Sequence, residues 1–142
     1  MTPRQIQLVQ ESFEKVRPIA AAAAEMFYNK LFETDPALRP LFKGDMKDQG
    51  RMLMAMIAAA VRGLSNAQAL VPTLLDLGRK HVAYGVEDRH YVTVGSSLLW
   101  TLEQGLGKGF DDELRDAWLA AYELLSGVMQ QGAREARLDK AA

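Results

Sequence analysis

Cysteine is absent from the chain. Its absence excludes disulfide frameworks, thiolate zinc sites, iron–sulfur clusters, catalytic thiols and any cofactor attached through Cys-x-x-Cys-His. Histidine is nearly as scarce, with only His81 and His90, which leaves no basis for a multi-histidine metal centre. An excess of one charge is missing too. Seventeen Lys and Arg face 18 Asp and Glu, for a net charge of -1, and nothing in that balance resembles the electrostatic footprint of a nucleic-acid binder. No apolar run reaches the roughly 18 residues of a membrane span. Met1-Thr2-Pro3-Arg4-Gln5 lacks the basic-then-apolar layout of a signal peptide, so a cytoplasmic location is expected. Phosphate loops, G-x-S-x-G and H-E-x-x-H are all lacking, as is a nucleophile–base pair of recognisable spacing. Asp111-Asp112-Glu113 reads as the acidic start of a helix rather than as paired catalytic carboxylates.

What is present is a helical pattern. The 142 residues, 49% hydrophobic, fit one domain spanning 1–142 with a core of its own. Thr2, Pro3 and Gln5 form a capping-box start, followed by Ile6, Val9, Phe13 and Val16 at helical spacing until Pro18. A second helix runs from about Ile19 to Thr34, opening on the alanines Ala20 to Ala24 and ending at Asp35-Pro36. Pro36 to Phe42 is too proline-rich for a long helix, and Lys43-Gly44-Asp45 reads as a loop. A helix from about Met46 to Leu64 carries Met46, Met52, Met54 and Met56, flexible fillers of irregular space. Beyond Ser65-Asn66-Ala67, a short helical piece leads through Pro72 into a helix that Gly85 can end. Further helices begin near Asp88 and at Asp111 or Asp112, and Arg137 to Ala142 is expected to fray. No stretch alternates apolar and polar residues as a strand would. The pattern predicts an all-α protein of seven or eight helices.

One helix stands apart. Leu74, Leu77, Gly78 and His81 share a face, so an apolar stripe ends in a single imidazole. Such a histidine is either a satisfied core residue or the ligand of a metal or haem iron. Gln49 and Leu53, four apart, share a face of the Met-rich helix. Tyr28 is a phenol among apolar neighbours, and Phe42 follows the proline-bounded bend. His90, beside Tyr91, reads as structural.

In their order and spacing these residues carry a resemblance. Phe27-Tyr28, Asp35-Pro36 with Phe42 six residues past the proline, Gln49 and Leu53, Leu77-Gly78-Arg79-Lys80-His81, His90-Tyr91-Val92, and Ala117-Trp118 with Tyr122 resemble the globins. Among these, the chain is most similar to bacterial single-domain globins related to the haem domain of flavohaemoglobins. The resemblance covers roughly residues 5 to 132. It implies the globin fold around a non-covalently held haem b, with His81 as the proximal iron ligand. Phe42 would pack on the porphyrin, and Tyr28, Gln49 and Leu53 would form the distal trio. Leu77, Val86, Tyr91, Val94 and Leu98 would line the proximal and lateral walls, with Ile57 opposite. Lys80 and Arg51 are candidates for the haem propionates. The implied ligands are oxygen, nitric oxide or carbon monoxide. Tyr28 and Gln49, both hydrogen-bond donors, would stabilise bound oxygen.

Two activities follow from the resemblance. One is nitric oxide dioxygenation, for which a separate reductase would supply electrons, since no flavin or nicotinamide segment lies within these residues. The other is oxygen storage, delivery or sensing without turnover. One departure bears on the choice. The flavohaemoglobin pattern has a glutamate late in the last helix that joins a network with the proximal histidine and a tyrosine. Tyr91 matches that tyrosine, but Gly132 or Ala133 occupies the glutamate position, and Glu135 falls too late.

Overall fold

The computed structural model describes residues 1–141; Ala142 lies outside the described residues. Six α-helices form it: α1 (Pro3–Val16), α2 (Ala20–Thr34), α3 (Met46–Gly63), α4 (Ala67–Ala83), α5 (Asp88–Leu106) and α6 (Asp112–Ala141). Four 3₁₀ segments join them, at Arg17–Ile19, Pro36–Leu41, Leu64–Asn66 and Gly107–Gly109. Among the described residues there is no strand. Six α-helices are fewer than the seven or eight expected, for two physical reasons. Pro72 sits inside α4 without starting a helix of its own, and the two prolines of Pro36–Leu41 hold that segment to a 3₁₀ turn.

The helix ends follow their side chains. Thr2 and Gln5 close the capping box, with Thr2 Oγ1 accepting from the Gln5 N–H at 3.1 Å and Gln5 Oε1 from the Thr2 N–H at 3.0 Å. Asp35 accepts from the Ala37 N–H. Asp45, inside the expected loop, turns out to cap α3 by accepting from Lys47 N–H at 2.7 Å. Asp111 caps α6 through the Leu114 N–H at 2.9 Å, which gives the acidic cluster its structural role. Gly85 takes φ +94° just past α4, a conformation that strains other residues. Past Arg137, α6 stays helical through Ala141.

The main core joins α1 to the second half of the fold. Val9, Phe13 and Val16 pack with Leu99, Leu102, Leu114 and Trp118, and each large apolar side chain buried there contributes about 1.5–3 kcal/mol. Trp118 Nε1 donates to Ser12 Oγ at 2.9 Å, so the buried indole is satisfied. Two contacts set the frame of the site. α4 packs chiefly on α6, and α3 packs chiefly on α2. At the α4–α6 crossing, a Cβ on Gly78 would lie 1.8 Å from the Met129 carbonyl oxygen, and one on Gly132 would lie 2.1 Å from that of Leu75. The two backbones therefore touch. α2 and α3 approach at Gly50, where a Cβ would meet the Ala24 side chain at 3.0 Å.

Candidate functional site

α4 delivers His81 in its last turn. The ring nitrogen Nδ1 lies 2.6 Å from the Leu77 carbonyl oxygen. A carbonyl only accepts, so Nδ1 carries the proton and the Nε2 lone pair is left free. Burial lowers the imidazole pKa below its ordinary 6.5, and the bond to Leu77 pulls it partly back. Burial thus favours the neutral ring, while the Leu77 bond sets the tautomer that leaves Nε2 open to a metal. The Tyr84 ring stands 5.8 Å away, tilted at 52°.

Tyr91 on α5 is buried. Its main-chain carbonyl accepts a short hydrogen bond from the Tyr122 hydroxyl of α6. Its own hydroxyl is buried and has no hydrogen-bond partner. On α6, the two positions that match the flavohaemoglobin glutamate carry no polar side chain. Gly132 can carry no side chain against Leu75, and Ala133 beside it is 1% exposed and apolar. Nδ1 of His81 is held by a carbonyl of its own helix.

On the other side, Tyr28 on α2 lies in an aromatic cluster. Its ring meets Phe27 edge-on at 5.1 Å, Phe42 edge-on at 5.3 Å, and stacks on Phe32 at 5.9 Å. Burial pushes its phenol up to about 12, so it remains a donor at any physiological pH. The hydroxyl donates to the Gln49 main-chain carbonyl at 3.4 Å, a long bond. The Gln49 amide turns elsewhere: a Cβ on Gly44 would lie 3.4 Å from its Nε2. Tyr28 and Gln49 therefore meet through main chain rather than through their two donors.

Leu53, Phe42, Val94 and Leu98 pack against the buried cluster of Phe27, Tyr28, Leu31 and Leu38. Ile57 belongs to the main core and, with Leu53, Leu98, Phe27 and Trp118, lines an apolar cavity of about 20 Å³. Phe42, Leu53, Ile57, Leu77, His81, Val86, Val94 and Leu98 are each only half-buried. The helical run Met46–Ala83, which contains α3 and α4, is long and apolar enough to pass for a membrane span, yet only 11% of its most apolar window is buried. A turn at Leu64–Asn66 interrupts it. Apolar walls half covered by protein, together with one free imidazole nitrogen, fit a flat apolar group carrying an iron.

Other side chains have local roles. His90 Nδ1 accepts from the Glu87 N–H at 2.9 Å, which caps α5. Lys80 pairs with Asp76 at 3.0 Å, and Arg51 pairs with Asp48, so both expected propionate partners already hold a carboxylate one turn away. Arg137, expected to fray, bonds Asp88 and the Val86 carbonyl. Sequence reasoning missed it because it falls beyond the apolar periodicity of α6.

A helical fold with a half-buried histidine and half-covered apolar walls fits a haem-binding class. The Globin family profile matches residues 25–129, and the chain belongs to the globin family. It is 32% identical over 146 residues to Neuroglobin-1 of Oncorhynchus mykiss, across 93% of this chain and 92% of that one. To the Flavohemoprotein of Bordetella parapertussis it is 31% identical over 132 residues, across 91% of this chain but 33% of that protein. An engineered carbene transferase from Rhodothermus marinus superimposes with a TM-score of 0.90 at 25% identity, covering 100% of this chain and 99% of that one. The similarity to bacterial globins and flavohaemoglobin haem domains therefore holds, and it extends to fish neuroglobins. Membership of the family implies haem binding.

Proposed function

We propose that this globin binds oxygen through a non-covalently held haem b, with Tyr28 and Gln49 as distal donors, and that with a separate reductase it detoxifies nitric oxide. Haem bound at His81 Nε2 supplies an iron that takes oxygen, nitric oxide or carbon monoxide. The overall reaction consumes one nitric oxide, one oxygen molecule and one electron from the reductase to give nitrate. The Rhodothermus marinus neighbour, named as a candidate nitric oxide dioxygenase, supports this reading.

Tyr28 is the observation that carries it. A phenol held protonated by burial, on a long and therefore weak bond to Gln49, can be drawn to a better acceptor. In a low-dielectric pocket that donor stabilises a partly negative diatomic ligand more than it would in water. Gln49, half-buried one turn before Leu53 on α3, supplies a second donor when its amide turns inward. Leu53 gates access sterically, Phe42 packs on the porphyrin, and Leu77, Val86, Tyr91, Val94, Leu98 and Ile57 complete the walls. A cytoplasmic location without a membrane span belongs to the same reading.

The test is nitric oxide consumption in air by the haem-loaded protein with a reductase. Sustained turnover giving nitrate is expected. A ferric form that no reductase restores would remove the enzymatic reading.

A second reading, oxygen storage, delivery or sensing, is favoured by one observation. His81 Nδ1 donates to a carbonyl rather than a carboxylate, so the ring donates less electron density to the iron. Reversible oxygen binding without sustained nitric oxide turnover would select it.

A further inference from the structure

Between α4 and α5 runs a short turn, Tyr84 to Glu87, that follows directly on His81. Tyr84, Gly85 and Glu87 are exposed. The turn closes on the end of α4 through main-chain bonds: the Val86 N–H donates to the His81 carbonyl at 3.0 Å and the Gly85 N–H to that of Val82 at 3.1 Å. Among the described residues, one hydrogen bond reaches this turn from an element other than α4 or α5. It comes from Arg137 of α6, whose Nη2 donates to the Val86 carbonyl at 3.3 Å. The other arm of the same guanidinium, Nη1, lies 3.0 Å from Asp88 Oδ1 in the first turn of α5.

We propose that Arg137 is a positioning residue for His81, a role that rests on reading His81 as the iron ligand. The guanidinium fork spans the two sides of the turn, with a main-chain carbonyl on one and a carboxylate on the other. A planar fork fixes both distances at once, which a single ammonium cannot do. Through Val86 the restraint passes to the His81 carbonyl; through Asp88 it passes to α5, which carries Tyr91 and Val94. The backbone behind the imidazole is thus anchored to α6. That helix is itself seated on α4 by Gly78 and Gly132. As an exposed ion pair, Arg137–Asp88 would add little stability. Its effect is on where the turn sits.

The test compares Arg137→Gln, Arg137→Lys and Arg79→Gln with the parent protein. Arg79→Gln breaks a different ion pair of α6, Arg79–Glu135 to α4 at 2.6 Å, without touching the turn. Amide hydrogen exchange at Tyr84 to Glu87 is measured on the apoprotein and the haem-loaded protein, and the iron–histidine stretch is recorded by resonance Raman on the ferrous form. Arg137→Gln is expected to speed exchange in the turn about fivefold, the factor that corresponds to one ordinary hydrogen bond, and to shift or broaden the stretch. Arg137→Lys recovers only part of both, and Arg79→Gln leaves both at the parent values. Unchanged exchange and stretch in Arg137→Gln would overturn the proposal. So would equal changes in Arg79→Gln, or full recovery by Lys. If the protein takes up no haem, the haem reading fails while the exchange data on the apoprotein still report on the clamp.

Discussion

The two sides of the site are built by opposite means. On the side of His81, α4 lies on α6 with main chain against main chain at Gly78 and Gly132. The ring is held by a carbonyl of its own helix, and the following turn is tied to α6 by Arg137. On the side of Tyr28, α3 meets α2 through the small side chain of Ala24. The bond between the two helices is long, and an apolar cavity lies behind Leu53. On the function proposed above, the ligand of the iron would sit in a rigid seat, and the groups that meet an incoming gas would sit in an adjustable one. Rigidity is useful where one geometry is needed at all times. Slack is useful where a small molecule must enter, be held and leave.

The contrast can be broken most strongly at the ligand. His81→Ala is expected to abolish haem retention, read as loss of the Soret band after haem addition, while the fold persists. Next in size is Gly78→Ala. Its Cβ would fall inside the Met129 carbonyl, and neither backbone can turn away, so it should cost the upper part of the usual overpacking range, ~3 kcal/mol. Gly50→Ala on the other side meets only a methyl at 3.0 Å and should cost about 1 kcal/mol. Thermal unfolding of the two apoproteins makes the comparison, and equal losses would erase the difference claimed between the sides.

Tyr28→Phe sharpens the contrast from the distal side. It removes a buried donor, worth about 1.5–3 kcal/mol when its acceptor is charged, so oxygen should dissociate roughly ten- to a hundredfold faster. Apoprotein stability should change by less than about 1 kcal/mol, because the bond lost is long. Stopped-flow oxygen release and thermal melts measure the two effects. Smaller still is the dependence on alkaline pH. Burial raises the phenols of Tyr28, Tyr91 and Tyr122 above the ordinary 10, that of Tyr28 to about 12. The unfolded chain therefore gives up these protons first, and stability should fall as pH climbs from 10 through 12. Denaturant melts across that range should lose this slope in Tyr28→Phe in proportion to its one phenol.

How legible each side was in the sequence follows from the same contrast. Periodicity and helix-end chemistry located α1, α2, α3, α5 and α6 to within a few residues, because caps such as Thr2 and stops such as Asp35-Pro36 act locally. The imidazole of His81 stood out because it ends an apolar stripe. The distal contact was less readable. Spacing placed Gln49 and Leu53 on one face, but whether the Gln49 amide turns toward Tyr28 or toward Gly44 depends on a side-chain torsion that no pattern encodes. Gly78 appeared on the stripe as a gap in hydrophobicity. Only the crossing with α6 shows that the gap is filled by a carbonyl. Arg137 lay outside any apolar repeat, and its two acceptors are distant in sequence. The helix count came out high because the local signal at Pro72 reads as a break, whereas packing carries α4 through it.

The glycine crossing has a last consequence, for the phase of α6. Each residue of a helix advances about 100° around its axis, so moving α6 by one position would turn Gly132 away and bring Gln131 or Ala133, each with a Cβ, against Leu75. The crossing therefore acts as a registration mark with a single permitted setting. Tyr122 upstream and Arg137 downstream reach the Tyr91 and Val86 carbonyls because that setting is fixed. With that mark held, a one-residue insertion or deletion between Tyr122 and Gly132 would turn Tyr122 away from its acceptor, and one between Gly132 and Arg137 would turn Arg137 away from its own, even in a helix that remained intact.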